Sequence, residues 1–251
     1  MKTKALTLLA YLLFYLTNVL AQEDAALRQW QAGETVSTEA VESYGMAQCF
    51  VATEIPDNIW ERMQGQTYKD NPHIKRKDLR YLKLLHWDYD QQIHLGEMVC
   101  NVIIAHELVE IFRQLYQARY PIQRMVLPEN YGANDEQQMR ANNTSCFCYR
   151  TISGTKQLSK HARGLAVDLN TLYNPYVIPH KSGHTEIQPA TATQYSNRSK
   201  AFRYKINHND LAYKLFTLYG YKWGGDWRSR KDYQHFEKDE TKMSKRVVTG
   251  N

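Results

Sequence analysis

The amino-acid sequence predicts a single domain of the α+β class, in which an antiparallel sheet is flanked by helices. Apolar residues recur at helical spacing from His106 to Tyr116 and again from Leu211 to Leu218. From Leu165 to Asn170 they alternate with small or polar residues instead. The first two patterns are typical of amphipathic helices, and the third is typical of a strand with one apolar face. We therefore expect helices around Val102–Tyr116 and Leu211–Tyr219 to pack against the sheet, with long loops forming a cleft.

The composition excludes several classes of protein. Of the 251 residues, 43% are hydrophobic and 23% are charged, which excludes a disordered or collagen-like polymer and a multi-span membrane protein. About 230 residues remain after a leader, enough for one sizeable core. The net charge of +6 suits weak attraction to an anionic surface. It falls short of the basic patch of a nucleic-acid-binding protein, so we expect no nucleic-acid partner.

The first 21 residues have the order of a secretory signal peptide. Lys2 and Lys4 precede an apolar run, and Val19 and Ala21 are the small residues expected before a cleavage after Ala21. The alternative is an uncleaved anchor, because residues 5–21 approach the length that crosses a bilayer, although two polar residues interrupt the run. We expect an exported protein, periplasmic or secreted, without a stable membrane span after cleavage.

The rest of the chain divides into a folded domain and two flanking segments. Residues 22–45 show no strong period and predict a short helix or an N-terminal arm, while the polar residues 239–251 predict a loose C-terminal tail. Within the domain, residues 46–238, the step Pro56-Asp57-Asn58 predicts a helix capped by Asp57 or Asn58. Residues 128–141 are rich in turn-forming residues and predict a loop.

All four cysteines follow the leader, and an exported location permits disulfides. Four cysteines allow three pairings, among which the sequence does not choose. Cys146 and Cys148 are separated by one residue, whereas zinc-binding cysteine pairs are usually separated by at least two. We interpret the four residues, Cys49, Cys100, Cys146 and Cys148, as buried or disulfide-bonded structural cysteines.

The segment from Ser159 to Asn170 carries the clearest chemical pattern. The predicted strand turns Asp168 away from the apolar layer, and Gly164 permits a tight turn through which His161 can fold back toward Asp168. A histidine and a carboxylate are two of the three protein ligands that a catalytic zinc needs. The third ligand should be an imidazole elsewhere in the chain.

His235 is the best candidate for the third ligand. It lies between Gln234 and Phe236 in a predicted strand, and Asp232 precedes it by three positions. A carboxylate so close to a ligand is suited to accept a proton from an attacking water molecule. Each residue alone also has an ordinary structural interpretation: a surface turn for His161, turn or loop capping for the two aspartates and a buried core histidine for His235. The joint pattern favours a metal site.

These motifs resemble a known family. The pattern S-x-H-x-x-G-x-A-x-D from Ser159 to Asp168, followed by D-x-x-H from Asp232 to His235, is similar to the zinc D-alanyl-D-alanine carboxypeptidase and L-alanyl-D-glutamate endopeptidase family. The hedgehog signalling domain shares the fold of that family. Asn143-Thr144-Ser145, Asn174-Pro175-Tyr176 and residues 223–227 resemble its endopeptidase branch. The resemblance extends over about residues 80–238.

The resemblance implies a zinc ion held by His161, Asp168 and His235, with Asp232 in the position of the general base. Many relatives carry glutamate at that position, and aspartate is one methylene shorter, which leaves the placement of the water open. It also implies a fold of the hedgehog and DD-peptidase type, and stem peptides of peptidoglycan as partners.

Two further residues follow from the resemblance. Arg150 matches the family arginine that contacts a substrate carbonyl or carboxylate, and its planar charged group suits that task. A structural ion pair is the alternative for Arg150. Ser159 either donates a hydrogen bond to substrate or shapes its turn. The resemblance leaves open whether a terminal D-alanine or an internal bond is cut, and a secreted zinc-containing binding module without catalysis is the alternative function.

Overall fold

The computed structural model of the protein describes residues 2–152 and 155–239. The predicted C-terminal tail beyond Asp239 lies outside these residues. The helices are α1 (Lys2–Gln29), α2 (Thr38–Tyr44), α3 (Asp57–Met63), α4 (Val102–Gln117), α5 (Asp135–Arg140), α6 (Thr193–Ser196) and α7 (Leu211–Leu218). The strands are β1 (Thr35–Val36), β2 (Val51–Thr53), β3 (Leu79–Trp87), β4 (Ile93–Asn101), β5 (Ala166–Asp168), β6 (Tyr176–Pro179), β7 (Thr185–Gln188), β8 (Lys222–Trp223), β9 (Lys231–Asp232) and β10 (His235–Glu237).

The strands pair in antiparallel fashion, and the predicted α+β class is confirmed. They are distributed over three sheets in the described part of the chain, where the sequence predicted one. The strand orders are β1-β4-β3-β2, β5-β10-β8 and β7-β6-β9. Only Tyr233 and Gln234 separate β9 from β10, yet β9 pairs with β6 whereas β10 pairs with β5 and β8. The chain therefore changes sheet just before His235.

The four-stranded sheet and α4 form the largest part of the core. Strands β3 and β4 pair over their whole length, from Leu79 opposite Asn101 to Trp87 opposite Ile93. The Asn101 side chain accepts a hydrogen bond from the Ile103 backbone nitrogen at 3.1 Å and so caps the start of α4. Helix α4 then packs on β3 with the apolar face that the periodicity predicted, which confirms this helix. Its fully buried members include Leu108, Ile111, Phe112 and Leu115.

Helix α7 links this core to the second sheet and confirms the second predicted helix. Asp210 caps α7 by accepting a hydrogen bond from the Ala212 backbone nitrogen at 2.9 Å. Phe216 of α7 contacts Phe112 of α4 edge to face, with ring centroids 6.2 Å apart. It also stacks on Phe236 of β10 at 4.4 Å. These three contacting rings hold β10 on the core, because edge and stacked contacts between buried aromatic rings add to the energy gained by burial.

Two local predictions are wrong in detail. The predicted loop over residues 128–141 contains a 3-10 turn, Pro128–Tyr131, and the helix α5. Asn134 begins α5, because its side chain accepts a hydrogen bond from the Gln137 backbone nitrogen at 2.9 Å. Helix α3 begins at Asp57, so its cap position is Pro56 rather than Asp57 or Asn58.

The N-terminal part is helical and contacts the domain. Helix α1 passes through the predicted cleavage position after Ala21 and ends at Gln29. Beyond that position, Leu27 and Trp30 belong to the buried core, and Glu23 accepts a hydrogen bond from the Ser37 hydroxyl at 2.5 Å. Among residues 2–152 and 155–239, no helix combines the length and the apolar character that crossing a membrane requires. Cleavage and export remain predictions.

The four cysteines are all within the described residues, and each is buried and free. The interpretation as buried structural cysteines is confirmed, and the alternative of disulfide-bonded residues is not what this structure contains. Burial raises the pKa of the Cys49 thiol to about 11 and that of the Cys148 thiol to about 12. Both groups are therefore protonated and unreactive at neutral pH.

Candidate metal centre

Two of the three predicted ligands come from neighbouring strands. In the pairing of β5 with β10, Asp168 lies directly opposite His235. Their chain neighbours Val167 and Phe236 are fully buried in the core. Because side chains alternate along a strand, the neighbours hold the sheet on the core while Asp168 and His235 point to its other face. Antiparallel pairing alone thus brings together residues that are 67 positions apart.

His161 arrives from a 3-10 turn, residues 161–163, that ends at Gly164. Gly164 has a φ of +64°, a conformation that favours glycine. A Cβ atom there would lie 2.6 Å from the backbone nitrogen of Asn101, so the turn packs closely against the end of β4. Ser159 supports the same turn, since its hydroxyl accepts a hydrogen bond from the His161 backbone nitrogen at 3.2 Å. His161 therefore folds back toward Asp168, as the sequence predicted.

The three side chains converge at short distances. His161 Nε2 lies 3.2 Å from Asp168 Oδ2, and His235 Nδ1 lies 3.0 Å from Asp168 Oδ1. The same two nitrogen atoms are 3.2 Å from each other. Both histidines are buried, whereas Asp168 is partly accessible from the cleft. The arrangement therefore offers two nitrogen donors and one carboxylate oxygen to one point, all within 4.8 Å of one another.

The hydrogen-bond partner of each outer imidazole nitrogen bears on where the imidazole hydrogens lie. His161 Nδ1 lies 2.7 Å from the backbone oxygen of Cys146, and His235 Nε2 lies 3.2 Å from Glu237 Oε2. Both partners are acceptors, so both outer nitrogens can carry hydrogen. The inner nitrogens, which face each other beside the Asp168 carboxylate, then require positive charge between them, either a proton or an ion. A zinc ion with two imidazoles and one aspartate fits this donor set.

The electrostatics of the site agree with that demand for positive charge. Burial would raise the pKa of Asp168, but the two imidazoles outweigh burial and hold its pKa far below the usual range. Burial would lower the pKa of His235, but hydrogen bonds to Asp168 and Glu237 outweigh burial and raise its pKa to about 10. Without a metal ion, a proton on His235 supplies the positive charge.

Asp232 lies at the end of β9, in the same cleft as the three ligands. It is buried, and its Oδ1 atom has no hydrogen-bond partner among the described residues. Burial raises the pKa of Asp232 to about 7, with a smaller contribution of the same sign from Asp168. Gly224 packs against this residue so closely that a Cβ atom there would lie 2.5 Å from the Asp232 backbone oxygen. The carboxyl group is thus held in place with a pKa suited to proton transfer near neutral pH.

Arg150 and Ser159 also line the cleft. Arg150 Nε lies 2.8 Å from Asp135 Oδ2 at the start of α5, and about a third of the Arg150 side chain is exposed. The ion pair that was one alternative for Arg150 is therefore present, and the exposed part of the side chain still borders the cleft. Ser159 shapes the turn of His161, as described above, and is buried.

The cleft has a volume of about 730 Å³ and carries charges of both signs. Its cationic side chains are Arg150, Lys160 and Arg230, and its carboxylates include Asp135 and Glu186 as well as those of the metal centre. Trp227 closes one side of the centre, with its ring 5.2 Å from that of His235. A peptide with free carboxylates would find both the proposed metal position and cationic groups in one cavity.

Comparison with known proteins bears on the same segment. Residues 153–238 match the model of the D-alanyl-D-alanine carboxypeptidase family. This match confirms the family resemblance and supports a peptidase. It covers roughly a third of the chain and contains His161, Asp168, Asp232 and His235, whereas Arg150 lies just before it. No curated protein and no solved structure matches the chain significantly.

The sequence did not predict three contacts that the candidate site residues make. Glu237 contacts His235, the Cys146 carbonyl contacts His161, and Asp135 contacts Arg150. Strand alternation could have indicated Glu237, because residues two positions apart in a strand share a face. The other two contacts join segments that are not neighbours in the sequence, and no local pattern indicates them.

Proposed function

We propose that this protein is an exported zinc metallopeptidase that hydrolyses peptide bonds in the stem peptides of peptidoglycan. The single observation that carries the proposal is the convergence of two imidazole nitrogens and the Asp168 carboxylate in a cleft that also holds Asp232, whose Oδ1 atom has no hydrogen-bond partner among the described residues. The matched peptidase family supports the reaction class. The predicted leader supports export to the compartment where cell-wall peptides occur.

His161, Asp168 and His235 would hold the ion in this site. When bound there, zinc supplies Lewis-acid polarisation of a peptide carbonyl and lowers the pKa of a water molecule. The Cys146 carbonyl contacts the outer nitrogen of His161 at 2.7 Å and orients this imidazole, so binding requires little reorientation of the ring. Both histidines are buried, which limits the contact of their rings with bulk water.

Asp232 is the proton-transfer group in this proposal. Its Oδ1 atom accepts a proton from the attacking water and passes it to the nitrogen of the leaving amine. Burial raises the pKa of Asp232 to about 7 in the metal-free site, so this carboxyl group can carry a proton near neutral pH, as transfer to the amine requires. The hydrogen bond that Oδ1 lacks within the described residues would be made to that water.

Arg150 stabilises negative charge that develops on the substrate, or pairs with a substrate carboxylate. The ion pair with Asp135 fixes the position of its guanidinium group, while the exposed third of the side chain borders the cleft. Lys160 and Arg230 add positive charge to the cleft that suits the carboxylates of stem peptides.

Digestion of purified muropeptides by the zinc-loaded protein tests the proposal. Loss of a single alanine identifies a carboxypeptidase, and cleavage between L-alanine and D-glutamate or at a cross-bridge identifies an endopeptidase. A chelator should abolish either reaction, and added zinc should restore it. Cleavage that persists in the metal-free protein would contradict the proposal.

The variant Asp232→Asn separates catalysis from metal binding. It should keep bound zinc and lose cleavage by about a hundred- to ten-thousand-fold, because the amide cannot accept the proton. Asp226→Asn is the matched control, since Asp226 pairs with His208 at 2.8 Å and does not line the cleft. Full activity of Asp232→Asn would remove Asp232 from the mechanism. A wild-type protein that binds zinc but cleaves no muropeptide would instead favour the non-catalytic binding module.

A further inference from the structure

Glu237 lies next to the candidate metal centre but has no role in the proposed reaction. Glu237 follows His235 by two residues on β10, so both side chains lie on the same face of the strand. Glu237 Oε2 lies 3.2 Å from His235 Nε2, and less than a quarter of the Glu237 side chain is exposed. The cleft therefore contains a carboxylate bound to the outer nitrogen of a predicted metal ligand.

This contact determines how the imidazole of His235 can be used. A carboxylate accepts a hydrogen bond and cannot donate one, so Glu237 favours hydrogen on Nε2, whereas Asp168 competes for hydrogen on Nδ1 as long as no ion lies between them. When an ion is bound, the Nε2 hydrogen leaves the lone pair of His235 on Nδ1, the atom that is 3.0 Å from Asp168 and 3.2 Å from His161 Nε2. With the opposite placement of hydrogen, Nδ1 would donate to Asp168 and would not be available to an ion.

The two imidazoles are supported differently. His161 is bound to the neutral backbone oxygen of Cys146 at 2.7 Å, which no side-chain substitution removes. His235 is bound to the charged carboxylate of Glu237, and a charged acceptor forms the stronger hydrogen bond. An acceptor of this kind both orients a ligand histidine and makes it a better donor to the metal.

We infer that Glu237 is a positioning residue that directs His235 Nδ1 toward the metal position and tightens zinc binding. The inference rests on the proposed zinc site, but it concerns affinity and not the cleavage step. It assigns to Glu237 a role that the two other carboxylates near the centre do not have, since Asp168 is a ligand and Asp232 a proton acceptor in the proposal.

A purely structural role for Glu237 is the competing explanation. The backbone of Glu237 pairs with Ala166 and Lys222, and these pairs do not depend on its side chain. The charge of Lys222 lies near the Glu237 carboxylate, but Lys222 also pairs with Asp239 at 3.6 Å and so keeps an acidic partner without Glu237. Substitution of the side chain therefore leaves the strand pairing in place, and the two explanations differ in what happens to zinc affinity.

The test is a titration of the metal-free full-length protein with zinc chloride against a competing chelator. Glu237→Ala should bind zinc about ten- to a hundredfold more weakly than the wild type, the range found when outer partners of ligand histidines are removed. Glu237→Gln should fall between the two, because its amide oxygen still accepts a hydrogen bond without the charge. Glu186→Ala is the matched control: Glu186 accepts from His180 at 3.0 Å in the same cleft, and His180 is not a predicted ligand.

Zinc affinity of Glu237→Ala within twofold of the wild type would overturn the inference, and so would an equal loss in Glu186→Ala. Thermal unfolding of the metal-free variants shows whether they fold, and Glu237→Gln carries the test if Glu237→Ala does not. Nitrogen NMR of the His235 ring in the zinc-loaded wild type should report hydrogen on Nε2; hydrogen on Nδ1 would also overturn the inference. A wild-type protein that binds no zinc would instead refute the proposed function.

Discussion

Gly164 joins the stability of the fold to the proposed metal centre, and replacing it with alanine should damage both. The residue ends the turn that carries His161 and has a φ of +64°. An added Cβ atom would lie 2.6 Å from the backbone nitrogen of Asn101 and 3.1 Å from the backbone carbon of Cys100. These are backbone atoms of a paired strand, so the turn must move rather than its neighbour.

The size of the effect can be separated into two parts with a second glycine. Gly132 has nearly the same φ, +60°, but a Cβ atom there would meet nothing within 4 Å. Gly132→Ala should therefore lose only the backbone term, about 1–2 kcal/mol for an L-residue in the left-handed region. Gly164→Ala should lose that amount and about 1–3 kcal/mol more for the steric overlap.

Urea unfolding of the two metal-free variants measures these losses, and chelator competition measures their zinc affinity. Gly164→Ala should be the less stable variant by about 1–3 kcal/mol, and it alone should bind zinc more weakly, because the displaced turn moves His161. Equal stability of the two variants would refute the steric argument. Unchanged zinc affinity in Gly164→Ala would refute the link between this turn and the metal centre.

Three further predictions concern pH, substrate binding and the metal. Burial lowers the pKa of His86 to about 3, below its unfolded value of 6.5, so its contribution to stability is present above pH 6.5 and is lost as the pH falls toward 3. Between pH 7 and pH 5, the free energy of unfolding of the wild type should therefore fall by about 2 kcal/mol more than that of His86→Asn. The asparagine amide can still donate a hydrogen bond to the Ile122 backbone oxygen. Equal losses of the two proteins in urea unfolding would contradict this prediction. Asp135→Asn removes the negative charge that lies 2.8 Å from Arg150 Nε. This variant should raise KM for muropeptides more than it lowers kcat, because Arg150 is then held less well for substrate binding. A loss confined to kcat would contradict a role of Arg150 in binding substrate. Zinc at a hundred times its Kd should raise the free energy of unfolding by about 2.7 kcal/mol, and a zinc-independent Tm would show that the ion does not bind the folded state.

Much of the candidate site could be predicted because its residues follow local rules. The spacing from His161 through Gly164 to Asp168 encodes a turn entering a strand, and alternation places the side chains of Asp168 and Val167 on opposite faces of that strand. Helices α4 and α7 were predicted for the same reason, since an apolar face recurs every three or four residues. Strand β3 could not be recognised in this way, because burial on both faces removes the alternation of polar and apolar residues.

The amino-acid sequence by itself determined the elements with strong local periods, the residues proposed as metal ligands and the family to which residues 153–238 are matched. Only the tertiary structure decided that β9 and β10 enter different sheets, that Asp135 pairs with Arg150 and that the Cys146 carbonyl and Glu237 lie against the outer nitrogens of the two imidazoles. The physical reason is the range of the interactions. A helical face or a tight turn depends on neighbours within a few residues, whereas strand pairing and ion pairs depend on which distant segments the packed core brings into contact.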